Sequence, residues 1–144
     1  MISDKLQALT AAVDSVVYHR SLLKQYISHH PEYFYSLEPV KIDEGSPEIV
    51  RLAAYAAEMA EVGPMAAIPG ALAEIAVRDM VHQRSHVNLV ENGGEIAAVS
   101  NRALNVGVYA GGSPLSGRIG FNLSEGDFPI GIATSSATVS HALN

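Results

Sequence analysis

A short run in the second half of the chain combines residue types that could bind a ligand. In Val90-Glu91-Asn92-Gly93-Gly94-Glu95-Ile96, two acids bracket Asn-Gly-Gly. Glycines expose backbone N–H groups that can bind an anion, and carboxylates can bind a ribose hydroxyl or a metal ion. The simpler interpretation is a tight turn with solvated acids, and this run taken alone favours it.

A second candidate segment lies near the end of the sequence, at residues 132–141. Five hydroxyl residues and one imidazole follow an apolar stretch there: Thr134, Ser135, Ser136, Thr138, Ser140 and His141. Hydroxyl-rich loops at strand ends suit pyrophosphate or carboxylate binding. A serine near a histidine is also compatible with nucleophilic catalysis. Without a carboxylate to orient the histidine, the nucleophile is disfavoured. A capped turn or a frayed terminus is the structural alternative.

Other catalytic and metal-binding devices are weak or absent in the sequence. His82 and His86 have the spacing of two ligands on one helix face, but no third ligand is near, so a surface pair is preferred and no metal site is predicted. The glycine-rich stretch 111–118 lacks the lysine of a phosphate loop and is typical of a hairpin loop. No nucleophile elbow, Gly-Lys-Ser/Thr loop or H-E-x-x-H is present. The sequence assigns no catalytic residue.

Helical patterns dominate the first half of the chain. A helix is predicted from Ser3, as N-cap, to His30, where Pro31 stops it. A second is predicted from Pro47 to about Glu61, with Ser46 as N-cap. A third, almost uncharged and rich in small residues, should be buried over 65–77, where Pro69 either kinks the helix or marks its start.

After Gln83 the apolar period changes from helical to alternating, which predicts strands. Segments 86–91 and 95–99 flank the Asn-Gly-Gly turn and form a hairpin. Further strands are predicted over 105–110, 118–123 and 129–133. Helices first and an antiparallel meander second make an α+β protein, and 1–144 can be one domain.

Composition excludes several classes of protein. The 144 residues contain no Cys, which rules out disulfide scaffolds and zinc–cysteine modules. A net charge of −6 disfavours a nucleic-acid partner. No apolar run approaches the roughly 20 residues of a membrane span, and the polar N-terminus does not look like a signal peptide. A cytoplasmic protein with a small-molecule partner is expected.

Four motifs, in this order, resemble a conserved uncharacterised family related to the ApbE-type FAD:protein FMN transferases. They are Gly63–Glu74, Glu91–Ile96, Tyr109–Gly117, and Thr134-Ser135-Ser136 followed by His141. The resemblance runs through nearly all of the chain. It implies an ApbE-like, T-fold-related α+β architecture in which N-terminal helices pack on an antiparallel sheet.

The resemblance also implies a ligand site. In the flavin transferases, a Gly-Gly turn and a Thr-Ser-Gly segment lie around FAD, which makes FAD the cofactor suggested here. Gly70 and Glu74 match a further transferase segment, Ala-Lys-Gly…Asp. The ligand-binding residues implied are Gly70, Glu74, Asn92, Gly93, Gly94, Glu95, Thr134, Ser135, Ser136 and His141.

Departures from the family pattern limit the expected activity. Pro69 stands where the transferases have lysine, and Glu74 and Glu95 stand where aspartate is usual. Relatives continue with a further segment bearing the Asp and Thr that hold Mg²⁺ in the transferases, so the resemblance implies that this chain is C-terminally incomplete relative to them. Magnesium-dependent flavin transfer by this polypeptide alone is therefore not expected. A missing strand layer would leave an exposed sheet edge, which favours a homo-oligomer.

Three functions follow from these observations. The preferred one is binding of a small nucleotide-type, flavin-like ligand between the Asn-Gly-Gly turn and the Thr-Ser-Ser loop. The first alternative is an enzyme of flavin transfer or of sulfur-amino-acid assimilation. The second is a non-catalytic structural subunit, in which the glycine-rich loops serve only as turns.

Overall fold

The protein is an α+β structure of helices and an antiparallel sheet, as predicted, in a computed structural model that describes residues 1–134. Short 3₁₀ helices lie at Pro64–Ala67 and Glu125–Asp127. The helices are α1 (Leu6–His29), α2 (Pro31–Tyr35), α3 (Glu48–Ala60) and α4 (Ile68–His82). The strands are β1 (Ile2–Ser3), β2 (Val87–Asn92), β3 (Glu95–Ser100), β4 (Leu104–Gly107), β5 (Gly120–Leu123) and β6 (Ile130–Ile132).

The sheet is not the predicted meander. Its strand order is β1-β2-β3-β6, and within residues 1–134 β4 pairs only with β5 in a separate two-stranded ladder. After β3, the Ser100 hydroxyl accepts the Arg102 N–H at 3.1 Å and donates to the Arg102 carbonyl at 2.7 Å. This tight turn accompanies the departure of the chain from the sheet. The chain returns only at β6, where Gly131 pairs with Ala97 of β3.

Several helix ends differ from those predicted. Ser3 does not cap α1, because it pairs with Asn88 in the sheet and the helix begins at Leu6. Ser46 does not cap α3, since Pro47 occupies the N-cap position itself. Pro31 stops α1 and at once begins α2, because its fixed φ suits the first turn of a helix. Pro69 marks the start of α4, the second of the two predicted alternatives.

Helix α4 is the buried centre of the fold, as its small-residue composition predicts. One core cluster joins it to α2 and α3 around Tyr33, whose hydroxyl donates to the Val50 carbonyl at 2.9 Å. A second cluster joins it to α1 and to Val90 of β2. Ala73 and Ala76 are fully buried there, and their small side chains allow close helix packing. Within 1–134, no helix taken singly has the length and apolar character of a membrane span.

Asp4 fastens the N-terminal strand to the start of β2. Its carboxylate accepts hydrogen bonds from the Ser85 hydroxyl and from the backbone N–H groups of His86 (3.1 Å) and Val87 (3.3 Å). These bonds, with the Ser85 contribution largest, lower the pKa of Asp4 to about 2. Ionised Asp4 therefore stabilises the fold above its ordinary pKa near 3.8, and this contribution is lost as the pH falls towards 2.

We expect Ser85→Ala to raise the pKa of Asp4, because the substitution removes the strongest donor to its carboxylate. Carboxyl chemical shifts followed by NMR between pH 2 and 6 measure this directly. Ser124→Ala is the matched control, since the Ser124 hydroxyl donates to Asp127 and lowers that pKa instead. An Asp4 pKa that stays near 2 in Ser85→Ala would contradict the assignment.

Candidate functional site

The predicted hairpin is confirmed, and its turn is one residue shorter than the predicted Asn-Gly-Gly. Asn92 belongs to β2 and pairs with Glu95, so the two central residues are Gly93 and Gly94. Their φ angles are +68° and +97°, a backbone region that L side chains rarely occupy. The two glycines therefore satisfy a requirement of the turn itself.

The hairpin turn docks on the first turn of α4. Asn92 and Glu95 are cross-strand partners on the sheet face that carries buried Val90, so both side chains are directed to the helix. The Asn92 amide donates to the Pro69 carbonyl at 3.1 Å. The Gly70 N–H donates to the Glu95 carboxylate, and a Cβ at Gly70 would lie 3.0 Å from Glu95 Oε2. Two motifs far apart in the sequence thus meet through direct contacts.

Thr134, which belongs to a third motif, lies beside the hairpin turn. A Cβ built on Gly94 would lie 2.7 Å from Thr134 Oγ1, so the backbone of the turn approaches this hydroxyl closely. The approach follows from the sheet order, because β6 lies beside β3 and ends next to the turn. Ser135, Ser136 and His141 lie outside the described residues, and their place in the site stays a prediction.

The electrostatics of the turn differ from those of an open anion site. The Gly94 N–H donates to Glu91 Oε1 at 2.7 Å, so a carboxylate of the hairpin already uses it. Glu91 is one of the two acids of this run, but it is not among the ligand-binding residues that the resemblance implies. Its position three residues before a turn glycine is the signal that could have identified it. Glu91 and Glu95 together make this end of the hairpin rich in hydrogen-bond acceptors.

In the described structure, the Glu74 carboxylate contacts Arg78, away from the turn. One helical turn after Gly70, its carboxylate accepts a hydrogen bond from Arg78 at 3.0 Å, and Arg78 also donates to Glu48 of α3 at 2.9 Å. These three side chains are about half exposed, so the ion pairs contribute little to stability. A ligand-binding role for Glu74 stays a prediction.

The two histidines with metal-ligand spacing lie near different carboxylates. The His82 imidazole lies 3.7 Å from Asp79, and the His86 imidazole lies 3.7 Å from Asp4 at the other end of the intervening turn. Among the residues that the structure describes, no group of three or more His, Asp or Glu side chains is arranged to hold a metal ion.

The pKa of Glu95 is raised, because partial burial disfavours the carboxylate, and the Gly70 N–H offsets this only in part. In the pH range just above 4.5, the folded state binds more protons at this group than the unfolded state does. Stability therefore falls as the pH rises through that range, the opposite sign to the Asp4 effect.

We expect Glu95→Gln to remove this part of the pH dependence, because glutamine keeps an oxygen for the Gly70 N–H and carries no charge. Urea unfolding between pH 4 and 8 should show stability falling less steeply with pH in Glu95→Gln than in the natural chain. Identical slopes in the two proteins would contradict the raised pKa.

Comparison with known proteins identifies the family. A family model with the description "AbpE bacteria" matches residues 2–144. A UPF0280 protein of Methanothermobacter thermautotrophicus is 43% identical over 129 residues, covering 90% of this chain and 50% of the relative. A UPF0280 protein of Methanococcus vannielii is 38% identical over 143 residues, covering 98% of this chain and 58% of the relative.

A third UPF0280 protein, from Methanococcoides burtonii, is 35% identical over all 144 residues of this chain, which cover 60% of the relative. The chain thus spans between half and three-fifths of the length of these curated relatives. The family match itself extends through nearly the whole chain, including the α4, turn and Thr134 motifs. The chain belongs to the family described as AbpE bacteria.

Proposed function

We propose that the chain binds a small nucleotide-type, flavin-like ligand beside the turn Asn92–Glu95 and the hydroxyl of Thr134. The observation that carries this proposal is the meeting of three separate motifs at one end of the sheet. Gly94 lies against Thr134, and Gly70 lies against Glu95. At both places a glycine lets a polar side chain approach the backbone more closely than a Cβ would allow.

The chemistry of the turn indicates which part of such a ligand it would hold. Because Glu91 and Glu95 accept the nearby N–H groups, the turn offers carboxylate oxygens rather than free donors. Carboxylates bind ribose or ribityl hydroxyls well and repel a bare phosphate. The proposal therefore assigns the sugar portion to the turn and the pyrophosphate to the hydroxyls of Thr134, Ser135 and Ser136.

FAD is the first ligand to test, because the sequence resemblance to the ApbE-type flavin transferases implies a flavin ligand. A cation carried in with the ligand would offset the charges of Glu91 and Glu95 beside a phosphate. Binding is therefore to be measured with and without Mg²⁺. Flavin transfer is a separate question, to be tested by turnover and by its loss in Thr134→Ala.

One observation favours a second candidate, the non-catalytic subunit. The polar groups of the turn are bonded within the chain: Asn92 to the Pro69 carbonyl, and Gly94 to Glu91. A turn with a purely structural role would show the same internal pairing, since buried or half-buried donors need partners. Ligand binding distinguishes the two candidates.

Native mass spectrometry with FAD, with ADP and with riboflavin tests the proposal. We expect one FAD per chain, and binding weakened about tenfold or more in Gly94→Val, because the new side chain collides with Thr134. Gly126→Ala is the control, since a Cβ there meets no atom within 4 Å. A chain that stays empty with all three ligands, with or without Mg²⁺, would overturn the proposal and favour the subunit.

A further inference from the structure

The hairpin of β4 and β5 has one apolar face and one polar face. Pairing places Leu104 opposite Leu123 and Val106 opposite Phe121, so these four side chains share a face. The other face carries Asn105 and Asn122, joined by an amide hydrogen bond of 2.7 Å. A two-stranded hairpin is marginally stable by itself in water, so its apolar face needs a cover.

The apolar face is buried near Leu123 and becomes exposed towards the tip of the hairpin. Leu123 is 7% exposed, whereas Phe121 is 53% exposed and Ile119, two residues closer to the tip, is 49% exposed. Tyr109 and Leu115 of the connecting loop are 78% and 53% exposed. The root of the hairpin is thus covered by the chain itself, while the outer part leaves four large apolar side chains in water.

Charge distinguishes this surface from the rest of the molecule. Residues 103–123 contain one charged residue, Arg118, in a chain of net charge −6. Two copies of an acidic chain repel each other least when they meet through a surface without acids, and this hairpin is such a surface. A basic or acidic partner would find almost no charge to recognise there.

Identical surfaces can pack against each other about a two-fold axis, so the apolar faces of two copies of the hairpin can cover each other. We infer that the chain forms a dimer through the β4–β5 hairpin, with Phe121 and Ile119 of each copy at the contact.

Sedimentation velocity of the full 144-residue chain at rising concentration tests this inference. We expect the mass to increase from 15.2 kDa to twice that value. Phe121→Glu should raise the dissociation constant of the dimer about tenfold or more, because it places a charge in an apolar contact. Leu37→Glu is the matched control, since Leu37 is 77% exposed outside the hairpin, and it should leave the constant unchanged.

Salt provides a second readout. Raising the ionic strength should strengthen the dimer, because salt screens the repulsion between acidic copies and the contact itself lacks ion pairs. Circular dichroism checks that Phe121→Glu is folded, and Ile119→Thr replaces it if it is not. A natural chain that is monomeric at every concentration would overturn the inference, as would a dimer that folded Phe121→Glu or Ile119→Thr leaves intact.

Discussion

Gly63→Ala is expected to destabilise the protein by about 3 kcal/mol or more. A Cβ at this position would lie 1.9 Å from the Ser36 carbonyl oxygen and 2.8 Å from its carbon. Both are backbone atoms of the segment that follows α2, so no side-chain rotation can relieve the collision. The free energy of unfolding in urea measures the cost.

Backbone strain does not contribute to the expected effect of Gly63→Ala. Its φ of −71° is accessible to alanine, so the loss of stability reports only the close crossing of two segments. Gly45→Ala is the control, because a Cβ there has no neighbour within 4 Å, and a change of under about 1 kcal/mol is expected. Equal stabilities of the two variants would show that the crossing is not as close as described.

Gly94→Ala should cost about 2–3 kcal/mol, because two penalties coincide at this residue. Its φ of +97° strains any L residue, and its Cβ would lie 2.7 Å from Thr134 Oγ1. Gly93→Ala carries only the first penalty, since its φ is +68° and the space around it is open, and should cost about 1 kcal/mol.

A double-mutant cycle separates the two penalties at Gly94. In a Thr134→Ala background, the hydroxyl that meets the new Cβ is gone, so Gly94→Ala should cost about 1 kcal/mol less there than in the natural chain. Thr134→Ser is the comparison, because serine keeps the oxygen. Additive effects of Gly94→Ala and Thr134→Ala would mean that Thr134 is not packed on the turn.

The sequence predicts local structure well where a physical signal is local. The small-residue run around Ala73 and Ala76 predicts a buried helix, and Asn-Gly between two apolar runs predicts the hairpin, because its turn needs positive φ. Strand partners are not local. The segments at 105–110 and 118–123 have the alternation of strands, but nothing in that alternation indicates that they leave the sheet and that β6 joins β3 instead.

The candidate site also combines residues that a local signal or a family resemblance predicts with tertiary contacts that neither predicts. Asn92, Gly94 and Glu95 are recognisable from the turn they form, and Gly70 and Thr134 from the family resemblance. The bonds that join them are tertiary: Asn92 to Pro69, Glu95 to Gly70, and Gly94 against Thr134. The pairing of the Gly94 N–H with Glu91 also depends on a side-chain conformation, which residue type alone does not determine.

The pairing of β1 with β2 has a consequence for the order in which the chain folds during its synthesis. Ile2 and Ser3 are synthesised before their partners Leu89 and Asn88, which come more than eighty residues later. Helix α1 can form as soon as it leaves the ribosome, but the segment before it must wait for β2, and closing so long a loop is slow. The edge strand β1 therefore completes the sheet late.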